Sequence, residues 1–162
     1  MYRSIVRRRV RSLFAEANKG NWQAIINSLG PNFVYRFVGD TPLGGTRTTK
    51  EAMQAWFERI YRLVPDAQLL PQTIVVEGAP WNTRVMTYVK FKGTLPAVSS
   101  APGLPYENDV MQLMHLRWGQ IASVITIEDT QRFVAILPAL AAAGIADATA
   151  APITDLPRDE RR

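Results

Sequence analysis

The chain has 162 residues, of which 47% are hydrophobic, and this length and composition suffice for one domain with a substantial core. It contains no cysteine and a single histidine, which excludes disulfides and thiolate chemistry, and we expect neither a metal site nor a cofactor. The net charge of +5 arises from 19 basic and 14 acidic residues, a mild excess that is weak evidence for a polyanionic partner.

No segment has the pattern of a signal peptide or of a membrane span. The first letters, MYRSIVRRRVR, carry charge but are not followed by an apolar stretch. The longest apolar run, residues 135–146, is too short to cross a bilayer and contains Pro138. We therefore expect a soluble, cytoplasmic protein without a membrane partner.

An amphipathic helix is predicted over residues 4–18, because apolar residues recur there at helical spacing and a glycine follows. The other face of this helix carries Arg3, Arg7 and Arg11, and two more arginines lie beside them. Such a stripe is suited to binding phosphates, but no aromatic residues alternate with the arginines as single-strand recognition requires. We prefer to interpret the stripe as a solvated helix face, and nucleic acid is not an expected partner.

Two further helices and one strand are predicted in the first half of the chain. A short helix over residues 22–29 precedes a strand over residues 33–38, FVYRFV, and residues 39–47 read as a loop. Thr48 and Glu51 fit a capping box at the start of the third helix.

The second half of the chain is predicted to consist mainly of strands. Residues 72–77 and 84–92 are rich in β-branched and aromatic side chains, and a proline-rich loop, residues 93–105, follows them. Residues 106–130 then read as two long strands joined at a turn, residues 117–120. We call this pair of strands the ribbon.

Both faces of the ribbon contain large apolar side chains, whereas a sheet with one wet face has apolar and polar residues in strict alternation. Both faces should therefore be covered. Helices of the same chain can cover one face, and a second copy of the protein across a two-fold axis is the simplest cover for the other. A homodimer through the outer sheet face is the expected partner arrangement.

The order of elements predicts an α+β domain with helices on one face of a curved antiparallel sheet. Asp129 or Thr130 can cap a last helix, and Pro138 should kink or end it. We expect residues 1–143 to form one domain and residues 144–162, alanine-rich and then charged, to be a flexible tail.

This order and several stretches of the sequence resemble the nuclear transport factor two-like superfamily and, within it, the SnoaL-like domains. The resemblance covers roughly residues 5–140 and is carried by KGNWQAIINSL, FVYRF, GDTPLGG, TKEAMQAWF, YENDVMQLMHLRWGQI and IEDT. It implies a cone-shaped curved sheet wrapped around a long helix, with an apolar pocket inside and a dimer through the outer sheet face. Because fold does not imply function, the site residues must be considered one by one.

The known enzymes of this superfamily use acidic or phenolic side chains for catalysis. At the positions that align with them, this sequence has neither. The steroid isomerase positions fall on Leu13, Phe37 and Gln112. Arg84 matches the arginine of the limonene-type epoxide hydrolases, but Met86 and Thr126 stand where that family has aspartates, and Thr126 also replaces the aspartate of the polyketide cyclases. The resemblance therefore leaves open whether the protein is an enzyme.

If the even-numbered residues of the ribbon face inward, they line the cone together with aromatic residues of the first strand and the third helix. Amides and hydroxyls among them can orient a ligand without exchanging protons at neutral pH. The predicted ligand-binding residues are Tyr35, Phe37, Trp56, Asn108, Val110, Gln112, Met114, Val124 and Thr126.

Two carboxylates are candidates for catalysis. If Glu128 is buried in the cone, burial raises its pKa and makes it a usable acid or base. The alternative is that Glu128 lies at the rim of the cone, at the start of the last helix. Asp40 follows the first strand near the expected pocket opening, although aspartate before Thr41 is also ordinary turn chemistry. His115 has outward parity and is expected to be a packed or interface residue.

The sequence thus predicts a SnoaL-like domain that binds a small apolar molecule, with or without isomerase, dehydratase or cyclase chemistry from Glu128 or Asp40. The alternative is a non-catalytic dimerisation or partner-binding domain of the same fold. The two hypotheses predict different interiors. A ligand-binding domain needs a cavity, whereas a core that is completely filled leaves no room for a ligand.

Overall fold

The computed structural model of the protein describes residues 1–97 and 103–155. Part of the predicted loop 93–105 and the last seven residues of the predicted tail therefore lie outside the described residues. The elements in chain order are α1 (Tyr2–Asn18), α2 (Gln23–Ile26), β1 (Leu29–Phe37), β2 (Gly45–Arg47), α3 (Lys50–Leu63), β3 (Gln68–Ala79), β4 (Asn82–Thr94), β5 (Pro105–Arg117), β6 (Gln120–Glu128), α4 (Thr130–Ala142) and a 3-10 helix (Ala146–Thr149).

The six strands form one curved, unclosed sheet in the order β2-β1-β6-β5-β4-β3, and the predicted α+β fold is confirmed. All neighbouring strands are antiparallel except β1 and β6, which run parallel. The parallel pair differs from the wholly antiparallel sheet that we expected. It arises because the chain leaves β1, crosses through α3 and the β3–β5 meander, and returns beside β1 in the same direction.

Side-chain alternation along β5 is regular. Its even-numbered residues are buried or half-buried, and its odd-numbered residues are exposed except His115, which is half-buried. In β6 the same parity holds from Val124 onward, but Ile121 is also buried. A register shift between His115 and Leu116 places an irregularity opposite this point, and such a bulge reverses the face to which a side chain points.

Helices α1 and α3 bury apolar stripes that their sequence spacing predicts. Val6, Val10, Phe14 and Ala17 are the buried residues of α1. Helix α3 begins one residue later than the predicted capping box, because the hydroxyl of Thr49, not that of Thr48, accepts the hydrogen bond from the Ala52 backbone amide.

Several element boundaries differ from the predictions, among them the end of the short second helix, which is Gln23–Ile26. The predicted loop 39–47 contains the short edge strand β2, which pairs with β1. Strand β1 begins at Leu29 and includes Pro31, because a register shift between Leu29 and Val34 removes the need for a ladder hydrogen bond at the proline. Helix α4 continues through Pro138 to Ala142.

Residues 144–155, which we call the C-terminal segment, have defined structure and are not the tail with little fixed structure that was predicted. The Asp155 carboxylate accepts hydrogen bonds from the backbone amides of Thr48 and Thr49 at 2.8 and 2.9 Å. Arg59 Nε donates to Asp147 Oδ1 at 3.0 Å. The segment also packs against the core, because Ala148 is buried in it and Ile145 and Ile153 contact it.

The face of the sheet that points away from α1 and α3, the outer sheet face, exposes apolar side chains on several adjacent strands. Their exposure ranges from 40% at Ile125 to 54% at Val75. The apolar members of this face are Val34, Val75, Met86, Met111, Leu113, Ile125 and Ile127. Among the described residues, no helix combines the length and the apolar character that a membrane crossing demands.

Candidate functional site

A cavity of about 100 Å³, the inner cavity, lies between the sheet and helices α1, α3 and α4. Every lining residue is buried or half-buried, and nearly all of them are apolar. Polar groups enter its wall mainly from the neighbouring strands β1, β6 and β5. The cavity is therefore an apolar chamber with one polar side, as small-molecule sites commonly are.

Eight of the nine residues predicted to bind a ligand line this cavity. Asn108 is the exception, because it is fully buried behind the wall and contacts the polar groups that face the interior. The eight that line it are Tyr35, Phe37, Trp56, Val110, Gln112, Met114, Val124 and Thr126.

A short hydrogen-bond chain joins three of the polar residues on the wall. Gln112 Nε2 donates to Thr126 Oγ1 at 3.2 Å, and the hydroxyls of Thr126 and Tyr35 are 2.9 Å apart. The buried oxygen Oε1 of Gln112 has no hydrogen-bond partner among the described residues. A buried acceptor without a partner is costly, so Gln112 is suited to receiving a hydrogen bond from a ligand.

Glu128 is the carboxyl group of the cavity. Its Oε2 accepts a hydrogen bond from Asn108 Nδ2 at 3.1 Å, while its buried Oε1 has no partner in the described part of the chain. Burial is the main cause that raises the pKa of Glu128, to about 8, against the opposing hydrogen bond from Asn108; the charge of Asp129 adds to the rise. At neutral pH the group is therefore mostly protonated, and it can both donate and accept a proton near that pH.

The alternative position for Glu128, at the start of α4, is occupied by Asp129. The side chain of Asp129 accepts the capping hydrogen bond from the Arg132 backbone amide at 3.2 Å. Glu128 is thereby free of a capping role and lines the inner cavity.

Tyr106 is a cavity residue that the sequence analysis missed. Its hydroxyl oxygen accepts a hydrogen bond from Asn108 Nδ2 at 3.0 Å, and burial raises the pKa of Tyr106, so the phenol stays protonated. The hydroxyl hydrogen then remains available to a ligand. The signal was present in the sequence, because Tyr106 extends the even-numbered set of the ribbon by one more step from Asn108.

An aromatic cluster forms the part of the cavity wall that adjoins these polar residues. The ring of Trp56 lies 5.0 Å from that of Tyr35 and 5.7 Å from that of Phe37, and its indole Nε1 donates to the Leu43 carbonyl at 2.8 Å. The fully buried guanidinium of Arg47 lies behind them, 5.3 Å from the Tyr35 ring and 5.0 Å from the Trp56 ring. Burial lowers the pKa of Arg47 to about 10, so it remains cationic at neutral pH and supports the aromatic wall by cation–π contacts.

The other candidates lie away from the cavity. Asp40 is exposed in the loop after β1 and does not line the inner cavity, so the predicted catalytic role for it has no geometric basis. His115 lies on the outward parity, half-buried, with Nε2 2.8 Å from Asn82 Oδ1. Over residues 1–97 and 103–155, no group of three or more side chains is arranged to hold a metal ion.

The model of the SnoaL-like domain family matches residues 10–124 of this sequence. The match covers more than two thirds of the chain, and the chain belongs to the SnoaL-like domain family. No curated protein matches the sequence at a significant level.

Solved structures with the same fold have low sequence identity to this chain. PrhC from Penicillium brasilianum is 14% identical with a TM-score of 0.73, and the match covers 91% of this chain and 95% of PrhC. Wild-type IdmH from Streptomyces antibioticus, a provisionally assigned polyketide cyclase, is 20% identical with a TM-score of 0.66, with 82% and 98% covered. A nuclear transport factor two-like protein of unknown function from Burkholderia pseudomallei is 14% identical with a TM-score of 0.67, with 80% and 95% covered.

Proposed function

We propose that this SnoaL-like domain binds a small, largely apolar, ring-bearing molecule in the inner cavity and transfers protons to and from it through Glu128. The observation that carries the proposal is a buried carboxyl group with one oxygen unpartnered, facing an otherwise apolar chamber. A carboxyl placed there for structural reasons alone would be expected to have both oxygens satisfied, because burial of an unpaired polar atom costs free energy.

The aromatic wall supports a flat, apolar ligand. Trp56, Tyr35 and Phe37 present ring faces and edges to the cavity, and the buried Arg47 behind them restricts their movement. Rings pack favourably against such a wall in offset or tilted arrangements. The unpartnered oxygen of Gln112 adds a position where a hydroxyl of the ligand is bound.

The chemistry that suits this site is the movement of a proton next to a carbonyl group. Ionised Glu128 would take a proton from the carbon beside the carbonyl, and the resulting enolate oxygen would accept a hydrogen bond from Tyr106. Return of the proton from Glu128 to a different carbon gives isomerisation, attack of the enolate carbon on a second carbonyl gives cyclisation, and loss of a hydroxyl group that takes the proton from Glu128 and leaves as water gives dehydration. No redox change is needed, and the provisional assignment of IdmH as a polyketide cyclase is compatible with this class of chemistry.

The proposal is tested by hydrogen–deuterium exchange at the carbon beside the carbonyl of cyclohexanone and cyclohexenone, followed by NMR in D₂O. Wild-type protein is expected to accelerate exchange, and Glu128→Gln is expected to lose the acceleration, because the amide cannot accept the proton. The accelerated rate should rise with pH through about 8, since proton abstraction needs the ionised form of Glu128.

Asp40→Asn is the matched control, because it also neutralises one carboxylate but lies outside the cavity. It should exchange like wild type. Equal exchange rates in Glu128→Gln and wild-type protein would contradict the catalytic role. Binding of phenol, measured by NMR or calorimetry, separately tests whether the cavity accepts a ring at all.

The outer sheet face supports a further part of the proposal, a homodimer. Apolar residues from β1, β3, β4, β5 and β6 are between 40% and 54% exposed there, and contiguous exposed apolar surface usually marks an interface. A second copy of this chain, placed across a two-fold axis, would cover this face with the same face. If Glu128 proves inactive and phenol does not bind, the protein is a non-catalytic dimerisation or partner-binding domain.

A further inference from the structure

A second cavity of about 110 Å³, the outer cavity, lies between α1 and the β5–β6 turn. Its wall includes Ile5, which is 55% exposed, and Arg9, also exposed, so the outer cavity reaches the protein surface. The inner cavity is lined by buried or half-buried residues, although it is not fully enclosed either.

The two cavities share part of their walls. Val10, Leu13, Met114 and Ile121 line both of them, so these side chains form the partition between the two spaces. Met114 on β5 is unbranched and adopts many rotamers, and Leu13 on α1 is only half-buried. Rotation of these side chains would join the two cavities without moving the backbone.

The volumes of the two cavities explain why a larger ligand would occupy both. An apolar protein cavity of about 150 Å³ holds benzene. The inner and outer cavities have volumes of about 100 and 110 Å³, so neither alone can hold a molecule larger than a single small ring. A substrate of more than one ring or a few carbons therefore needs both, and this step rests on the proposed function of the inner cavity.

The two ends of the joined space differ in chemistry. At the inner end are the unpartnered oxygens of Gln112 and Glu128. At the outer end is Arg9, which forms no salt bridge within residues 1–97 and 103–155, and no carboxylate lines the outer cavity. Its guanidinium lies at the β5–β6 turn, where Arg9 Nη1 is 3.2 Å from the position a Cβ would take at Gly119. An arginine in this position suits an anionic group, and carboxylates bind arginine with paired, charge-assisted hydrogen bonds.

We propose that the inner and outer cavities form one channel that binds an elongated apolar molecule carrying a carboxylate. The carboxylate binds Arg9 at the surface, the apolar body passes between Leu13 and Met114, and the far end reaches Glu128. The outer cavity is then an entrance through which the elongated ligand approaches the proton-transferring group.

Decanoate and decanol are suitable probes, because they have the same chain and differ in charge. With wild-type protein we expect calorimetry to detect both, with decanoate bound more tightly. Arg9→Gln should weaken decanoate binding about tenfold, the effect of losing one charge-assisted contact, and leave decanol unchanged. Arg8→Gln removes the same charge from a neighbouring exposed residue that lines neither cavity, and it should leave both affinities unchanged.

Ile5→Trp fills the outer cavity from an exposed position, so it presents little risk to folding. It should abolish decanoate binding but preserve the equilibrium binding of phenol in the inner cavity. Three results would contradict the channel proposal: wild-type protein does not bind decanoate, Arg8→Gln weakens decanoate binding as much as Arg9→Gln does, or Ile5→Trp still binds decanoate.

Binding of phenol separates this proposal from the proposed function. If phenol still binds, only the channel proposal fails. If wild-type protein binds neither phenol nor decanoate, both proposals fail.

Discussion

At the scale of single residues, Glu128 shows how a strand sequence positions an acid without a charged partner. The period of β6 turns it inward, burial raises its pKa to about 8, and Asn108 holds one of its oxygens. The next residue, Asp129, lies outside and caps α4. Two adjacent acids thus have different roles because they point to opposite sides of one backbone.

The first prediction concerns the pH dependence of stability. The pKa of Glu128 in the folded protein, about 8, lies above its ordinary value of 4.5, so the folded state binds the proton more tightly than the unfolded state. Its contribution to stability is therefore fully present below about pH 4.5 and is lost as pH rises through about 8. The slope should reach at most about 1.4 kcal/mol per pH unit between those values.

Denaturant unfolding at several pH values between 5 and 8 measures this slope for wild type and for Glu128→Gln. The free energy of unfolding of wild type should fall with pH relative to that of the variant, which cannot titrate at this position. Parallel curves for the two proteins would mean that Glu128 is ionised and solvated in the folded state.

At the scale of elements, the C-terminal segment is held by side chains of β2 and α3. Arg47 Nη1 donates to the Ile153 carbonyl at 2.8 Å, and Arg59 Nη1 donates to the Ala151 carbonyl at 2.7 Å. Arg47 also contacts the aromatic rings of the cavity wall. The segment is therefore coupled to the inner cavity through a buried cation.

The second prediction is that Asp155→Ala destabilises the protein by about 1–2 kcal/mol at pH 7. The Asp155 carboxylate satisfies the backbone amides of Thr48 and Thr49 just before α3, and alanine leaves them without that partner. Urea unfolding gives the difference in the free energy of unfolding.

Asp40→Ala is the appropriate comparison, because Asp40 is an exposed aspartate in a loop and its replacement should change stability by less than about 0.5 kcal/mol. An equal effect of the two substitutions would show that the contacts of Asp155 contribute nothing specific.

Sequence periodicity predicted the elements whose side chains alternate between two environments. The even-numbered residues of β5 faced inward as expected, and eight of nine predicted cavity residues line the cavity. Periodicity did not predict the segments whose structure depends on contacts between residues distant in sequence. Strand β2 is three residues long and carries no periodic signal, and the C-terminal segment is ordered by arginines about one hundred residues away in sequence.

The bulge near Ile121 could not be predicted from the sequence for a similar reason. A one-residue irregularity reverses the facing of every side chain beyond it, and its position depends on how β5 and β6 pair. The outer cavity, which Ile121 and Gly119 help to line, was consequently not predicted.

At the scale of the whole molecule, the third prediction concerns dimerisation through the outer sheet face. Wild-type protein should sediment as a dimer, and Leu113→Lys should produce monomers, because it places a charge in the middle of an apolar contact. Sedimentation velocity at micromolar concentration distinguishes the two masses.

Val134→Lys is the matched control, since Val134 is also an exposed apolar residue but lies on α4. It should remain a dimer. A wild-type protein that sediments as a monomer would remove the homodimer from the proposal and leave the outer sheet face for another partner.

The placement of the tryptophans gives the protein a built-in optical reporter. Trp56 is 4% exposed on the cavity wall, whereas Trp81 and Trp118 are 61% and 74% exposed with ring centroids 6.2 Å apart. Iodide in solution should quench the emission of the exposed pair and spare that of Trp56. The residual emission comes from Trp56 and from the half-buried Trp22, and its Trp56 component follows molecules that enter the interior, so compound libraries can be screened without attaching a dye.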